Sequence, residues 1–310
     1  MERDQPITPQ TPSRVDAILA SGLPPIERLM ARVFGPKLCR ALTEFLVFGI
    51  KQAWACLFGG LMLAGLFISD LIWQPDWALA RYDALVFYAV GLQLAFIASG
   101  LERPREALVI LIFHIVGTAM ELFKTASGSW AYPEESLLRI GNVPLFSGFL
   151  YAAVGSYFAR VTRVFDFRFT AYPRRRWTLL IAVAAYLNFF THHYLPDLRW
   201  VLFGAAVLVF GQTVVHYSVW RWQHRMPLLL GFALVALFIW FAENIGTLAG
   251  AWIYPDQAGV WRPVSISKFG AWFLLMMLSW VLVTVIHRPK ARPASETLPR
   301  GATQPLIPQR

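Results

Sequence analysis

Eight runs of about twenty apolar residues, each long enough to cross a bilayer, constrain this chain more than any other feature. They fall at 53–73, 80–99, 105–123, 142–163, 177–195, 198–217, 226–246 and 266–286. With no water in the bilayer core, backbone polar groups must be satisfied inside each helix or around a closed barrel. The runs lack the period-2 alternation of barrel strands. The expected fold is therefore all-α, a polytopic membrane helix bundle of about eight transmembrane helices. Composition agrees: 15% of residues are charged, against about 25% in soluble globular chains.

The net charge of +10 suggests nucleic-acid binding only until the basic residues are placed. With the N-terminus inside, 22 of the 28 Lys and Arg fall on the cytoplasmic side, as the positive-inside rule requires. The other six are Arg81, Lys124, Arg139, Arg199, Arg262 and Lys268. Both termini are accordingly expected in the cytoplasm of a bacterial inner membrane, with membrane lipids and no nucleic acid as partners. Met1 to Pro12 contains no short apolar segment with a cleavage site, so the first span is the expected insertion signal. Cys39 and Cys56 are expected to stay reduced.

Four parts are expected: a cytoplasmic segment over 1–50, four-helix halves over 51–165 and 166–287, and a disordered cytoplasmic tail over 288–310. Within the first, residues 26–48 read as amphipathic pieces broken at Gly35-Pro36 that lie on an anionic membrane surface. The tail is Pro-rich and polar.

An offset of 122 aligns one half with the other. Glu121, Gly128, Trp130, Tyr132 and Pro133 match Glu243, Gly250, Trp252, Tyr254 and Pro255, with Glu134 opposite Asp256. A weaker match at 121 pairs Gln74-Pro75-Asp76-Trp77 with Leu195-Pro196-Asp197-Leu198. Four spans per half is an even number, so the repeat is expected to be parallel, about an axis along the membrane normal. Both copies of the motif then sit at the outer face.

Carboxylates inside spans are costly and point to function, which makes Glu121 and Glu243 the first candidates for catalysis. Two carboxylates brought together raise one pKa and supply a general acid; alternatively each Glu caps its own loop. His114, seven residues before Glu121, and His192 and His193 at the outer end of the fifth span are further catalytic candidates. They lack the spacing of a metal-ligand series, so no metal is expected and polar packing against Asp70, Asp197 or Asn188 is the alternative. Trp130, Tyr132, Trp252, Tyr254, Asn142, Asn244 and Arg199 are candidate substrate-binding residues. The four aromatics also suit an interfacial belt. Nearly all span-end carboxylates are expected at the outer ends, around a site that opens outward. No Walker loop, dinucleotide fingerprint or nucleophile elbow is present, and the cofactor stays unknown.

Phe113-His114 through Glu121-Leu-Phe-Lys-Thr125, Asn188 through Arg199, and Trp240 through Glu243-Asn-Ile-Gly-Thr247 resemble a family of bacterial inner-membrane proteins of unknown function. That resemblance implies fold and topology alone. A distant similarity to carotenoid hydratases and heterodimeric-type lycopene cyclases would make Glu121 and Glu243 acids that protonate an isoprenoid double bond. Three functions remain in view: an enzyme doing acid/base chemistry on a lipid or isoprenoid, a secondary transporter or small-solute permease, and a structural or assembly protein. The substrate and the oligomeric state are left open.

Overall fold

The computed structural model describes residues 14–74 and 76–293. The expectations for Met1 to Pro12, Pro75 and most of the C-terminal tail lie outside those residues.

The chain is mostly helical, with nine α-helices and six strands among the described residues, in the order α1 (Arg14–Ala55), α2 (Leu57–Ile72), α3 (Arg81–Ala98), α4 (Pro104–Ala126), β1 (Arg139–Ile140), β2 (Val143–Pro144), α5 (Phe146–Val164), β3 (Arg168–Thr170), α6 (Arg175–Thr191), α7 (Arg199–Phe210), β4 (Val214–Ser218), β5 (Gln223–Pro227), α8 (Leu228–Leu248), α9 (Lys268–Ile286) and β6 (Lys290–Ala291). Among the described residues α3, α4 from Glu106 onward, α8 and α9 are long and apolar enough to cross a membrane. Together α1 and α2 pass the same test across a 68° bend, which makes up to five such segments. These helices are compatible with a membrane protein. So is the surface: Phe45, Trp200 and Leu208 are 76%, 81% and 88% exposed, and so much open apolar area is uncommon on a soluble monomer.

One departure from the all-α expectation has a local cause. The run 198–217 is cut short when α7 ends at Phe210. At Gly211 an added Cβ would sit 2.4 Å from the Val207 carbonyl oxygen, so only glycine fits that turn. The following Val214-Val215-His216-Tyr217 is rich in the β-branched and aromatic residues that favour strands. It forms β4, which pairs antiparallel with β3 and β5; β6 joins β3 in parallel, giving the order β5-β4-β3-β6. Farther upstream, α1 is interrupted at Gly35, whose φ of 71 places it in the left-handed region, at the Gly-Pro step read from the sequence.

The same spacing of 122 separates the bounds of two helix pairs. α4 and α8 end at Ala126 and Leu248, and α5 and α9 run from Phe146 to Val164 and from Lys268 to Ile286. α4 packs chiefly on α5, and α8 on α9. α7, twelve residues against eighteen in α3, breaks the correspondence.

The end of the bundle near the α3–α4 turn corrects another expectation, because it too buries carboxylates. Glu102 accepts from Ser156 Oγ at 2.6 Å and Arg160 Nη2 at 3.3 Å, and Arg163 Nη1 donates to Glu106 at 2.6 Å. Side chains of Glu102 and Arg160 are each 1% exposed. Partners more than fifty residues apart leave no periodic trace, so the sequence concealed the pairing. Removing one member strands a buried charge: Arg160→Met should cost about 3–5 kcal/mol of stability, and Glu102→Met added to it should restore most of the loss. Unfolding in detergent micelles measures both.

Candidate functional site

Burying a carboxylate requires donors, and the two motif glutamates obtain them by the same turn. Each helix ends in a left-handed glycine, Gly128 with φ 68 and Gly250 with φ 60, the usual way to reverse a chain after a helix. Gly128 and Ser129 donate to the carbonyls of Thr125 and Lys124; Gly250 and Ala251 donate to those of Thr247 and Gly246. The reversed chain carries Tyr132 and Tyr254 back over their helices. Tyr132 Oη donates to Glu121 Oε2 at 2.8 Å, and Tyr254 Oη donates to Glu243 Oε1.

The two loops also hold each other. Ala131 and Ile253 exchange backbone hydrogen bonds of 3.0 and 2.9 Å as an antiparallel bridge. Arg81 reinforces the junction, bonding Asp70 at 3.1 Å, Glu134 at 2.5 Å and the Ala249 carbonyl at 3.0 Å. Asp83 accepts from the Leu137 and Leu138 amides at 2.9 and 2.7 Å.

Glu121 and Glu243 are buried and line one cavity of about 1090 Å³. Lining positions on α8 run from Leu228 to Glu243, fifteen residues or about 22 Å at the helical rise. Most of the wall is aliphatic and aromatic, and its charged groups, Glu121, Lys124, Arg199, Glu243 and Lys268, gather at one end. Glu121 also accepts from Trp130 Nε1 at 2.9 Å and Tyr151 Oη at 2.8 Å, while Glu243 accepts from Trp272 Nε1 at 2.6 Å. The Trp130 and Tyr254 rings meet edge to face, their centroids 6.2 Å apart. One line of contacts thus joins the carboxylates: Glu121, Trp130, Tyr254, Glu243. The carboxylates and rings also hold the phenols neutral: burial and then the adjacent carboxylate push the hydroxyls of Tyr132 and Tyr254 well above their ordinary range.

Other sequence candidates divide. His192, Arg199 and Trp252 line the cavity with the glutamates. Trp252 makes no bond to Glu243 and packs on Gly246, where an added Cβ would lie 2.2 Å from its ring. His114 lies outside the cavity lining, against Phe149 at a centroid distance of 4.3 Å. Asn142 lines a separate shallow recess with Arg139. Asn244 ties loop to helix, donating to the Trp240 carbonyl at 2.7 Å and accepting from the Val264 amide at 2.9 Å.

Three residues at the site were not singled out from sequence, Lys124, Tyr151 and Trp272, while Lys268 was read only as one of several charges near the outer boundary. Lys124, one turn after Glu121, carried a detectable signal in its i+3 spacing. Tyr151 and Trp272 sit inside apolar runs and differ by 121, which becomes visible only once the carboxylates they bond are known. Lys124 is buried and its Nζ donates to His192 Nε2 at 3.2 Å and His193 Nε2 at 2.8 Å. His192 Nδ1 lies 2.9 Å from the Asn188 carbonyl oxygen. A carbonyl only accepts, so Nδ1 carries the hydrogen and Nε2 is free to accept from Lys124. Lys268 Nζ stands 4.0 Å from the Tyr254 ring centroid, a cation–π contact.

Desolvation, then the charge of Lys124, then His192, lowers the pKa of His193 below its ordinary 6.5. The unfolded chain therefore takes up the proton first as pH falls, so the contribution of His193 is complete above 6.5 and declines below it. Melting temperature in detergent should fall as pH is lowered through 6.5, and fall less in His193→Gln. An unchanged pH dependence in that variant would show that His193 is not the group responsible.

No solved structure matches this chain. The uncharacterized protein YoaT of Bacillus subtilis (strain 168) is 44% identical over 251 residues, which cover 81% of this chain and 94% of that protein. The family described as "Protein of unknown function (DUF817)" matches residues 44–280. The matched region, with both glutamate motifs inside it, places this chain in the DUF817 family.

Proposed function

We propose that the chain is a multi-pass inner-membrane protein with cytoplasmic termini and about eight membrane-crossing segments, and that its cavity carries out acid/base chemistry on a lipid or isoprenoid near the outer face. The supporting observation is that Glu121 and Glu243, each bonded by aromatic donors, line a single, mostly apolar cavity. The two halves form a parallel repeat. Support for that comes from α5 and α9, which coincide at the 122 offset, and from the reciprocal bridge between Ala131 and Ile253, themselves 122 apart.

In this reading one carboxyl, protonated, delivers its proton to a carbon–carbon double bond. Trp130, Tyr254 and Trp272 face the resulting cation with ring electrons. The second carboxylate then takes a proton, either from the adjacent carbon or from a water that has added to the cation. Such proton transfer contributes roughly 10²–10⁴-fold in rate. The resemblance to carotenoid hydratases and lycopene cyclases belongs to this proposal and adds a chemical precedent.

A transporter is the second reading, favoured by the 68° bend between α1 and α2, since broken helices frame the sites of many secondary transporters. A purely structural role predicts a fully paired cluster with no cavity, and a void of about 1090 Å³ weighs against it. Comparison of lipid and isoprenoid profiles between wild-type cells, cells without the protein, and cells carrying Glu121→Gln or Glu243→Gln tests the enzyme. A species lost on deletion should be lost in both variants, its rate of formation reduced at least about 100-fold. Profiles that match wild type in all three strains would refute the enzyme and leave solute uptake to be measured.

A further inference from the structure

The polar end of the cavity holds more positive charge than the acid/base reading uses. Lys124, Lys268 and Arg199 all line it. Arg199 has a carboxylate partner, Asp197 at 3.2 Å. Neither lysine has a carboxylate within 4 Å among the described residues, and Lys124 is only 4% exposed. Two of the three ammonium protons of Lys124 go to imidazole nitrogens and the Phe189 ring lies 4.3 Å away, so no carboxylate bonds it, and only the more distant Asp197, already paired with Arg199, offsets its charge. Lys268 and Arg199 are close enough for their charges to act on Lys124, and like charges in a poorly solvated space repel. Desolvated charge is tolerated when a counter-ion and hydrogen bonds accompany it.

Glu243 attracts Lys268 through space, but among the described residues neither glutamate forms an ion pair with a lysine. Glu121 turns its oxygens to Trp130, Tyr132 and Tyr151, and Glu243 turns its oxygens to Tyr254 and Trp272. Behind the lysines the cavity continues for about 22 Å between apolar walls. A charge cluster at the head of a long greasy slot matches an amphiphile in both parts.

We infer that the cavity binds an amphiphile with an anionic head, a phosphate or carboxylate, held by Lys124 and Lys268 with Arg199 beside them, and with its hydrocarbon chain laid along α8. This rests on the reading of the cavity as a lipid site and specifies the ligand class. Each charged hydrogen bond to the head favours it over an uncharged one, and one to two such bonds give about tenfold or more in affinity.

Competition against tritiated hexadecanol, on the purified full-length protein in a neutral detergent, separates the two ideas. Hexadecyl phosphate and hexadecanoate should displace the tracer at concentrations at least about tenfold lower than unlabelled hexadecanol does. In Lys124→Gln and in Lys268→Gln that preference should shrink to about threefold or less, while the tracer still binds, which also reports that the variants are folded. Equal displacement by alcohol and phosphate in the wild type, or a preference that survives in both variants, overturns the anionic head. Displacement by inorganic phosphate as effective as by hexadecyl phosphate overturns the amphiphile in favour of a free-anion site. Failure of hexadecanol to bind saturably overturns the lipid cavity itself, and the head-group assignment with it.

Discussion

Two carboxylates withdrawn from water set the terms for everything around them. A buried ionisable group left without partners costs several kcal/mol, so Glu121 and Glu243 require hydrogen-bond donors that bring no bulk water with them. Indole N–H and phenol O–H groups meet that need and keep the wall apolar. To deliver them from a loop, the chain must reverse immediately after the helix, which is what the left-handed Gly128 and Gly250 do. Once reversed, the two loops lie side by side with backbone groups to satisfy, and the bridge between Ala131 and Ile253 satisfies them mutually. The glycines, the aromatics and the contact between halves all follow from that single requirement.

Those parts were legible in sequence because each is local: a Glu near a span end, a glycine seven residues on, then Trp and Tyr at fixed steps. Helix positions were legible too, since lipid demands long uninterrupted apolar runs. What escaped the reading depends on contacts between distant positions. Val214 to Ser218 is apolar enough to extend a span, yet it becomes a strand because β3 and β5 are beside it. Glu102 and Glu106 drew no notice in the sequence, because the partners that bury them, Arg160 and Arg163, come from α5. His114 shares a helical face with Glu121, yet its ring turns to Phe149.

Lys124 shows a different failure of sequence reasoning. Counting it among the basic residues on the outer side treats it as a topological signal and says nothing of its surroundings. Its chemistry depends on what the α6 end places against it, namely His192 and His193 as acceptors. Adjacent histidines point about 100° apart on an ideal helix. Both reach Lys124 here because α6 has ended at Thr191 and the histidines lie in the turn that follows.

On the proposed eight-segment topology, the shortness of α7 has a consequence for the lipid beside it. Twelve residues rise about 18 Å, whereas the hydrocarbon layer is about 30 Å thick. A bilayer meeting this flank must thin, or the sheet that follows α7 must enter its lower margin. The second course is open to this molecule because β4 has a neighbour on each side, so the strand nearest the helix offers lipid a completed ladder and no bare row of amides. On that topology one flank requires the bilayer to adapt, beside the helix whose first residue, Arg199, stands at the cavity's charged end.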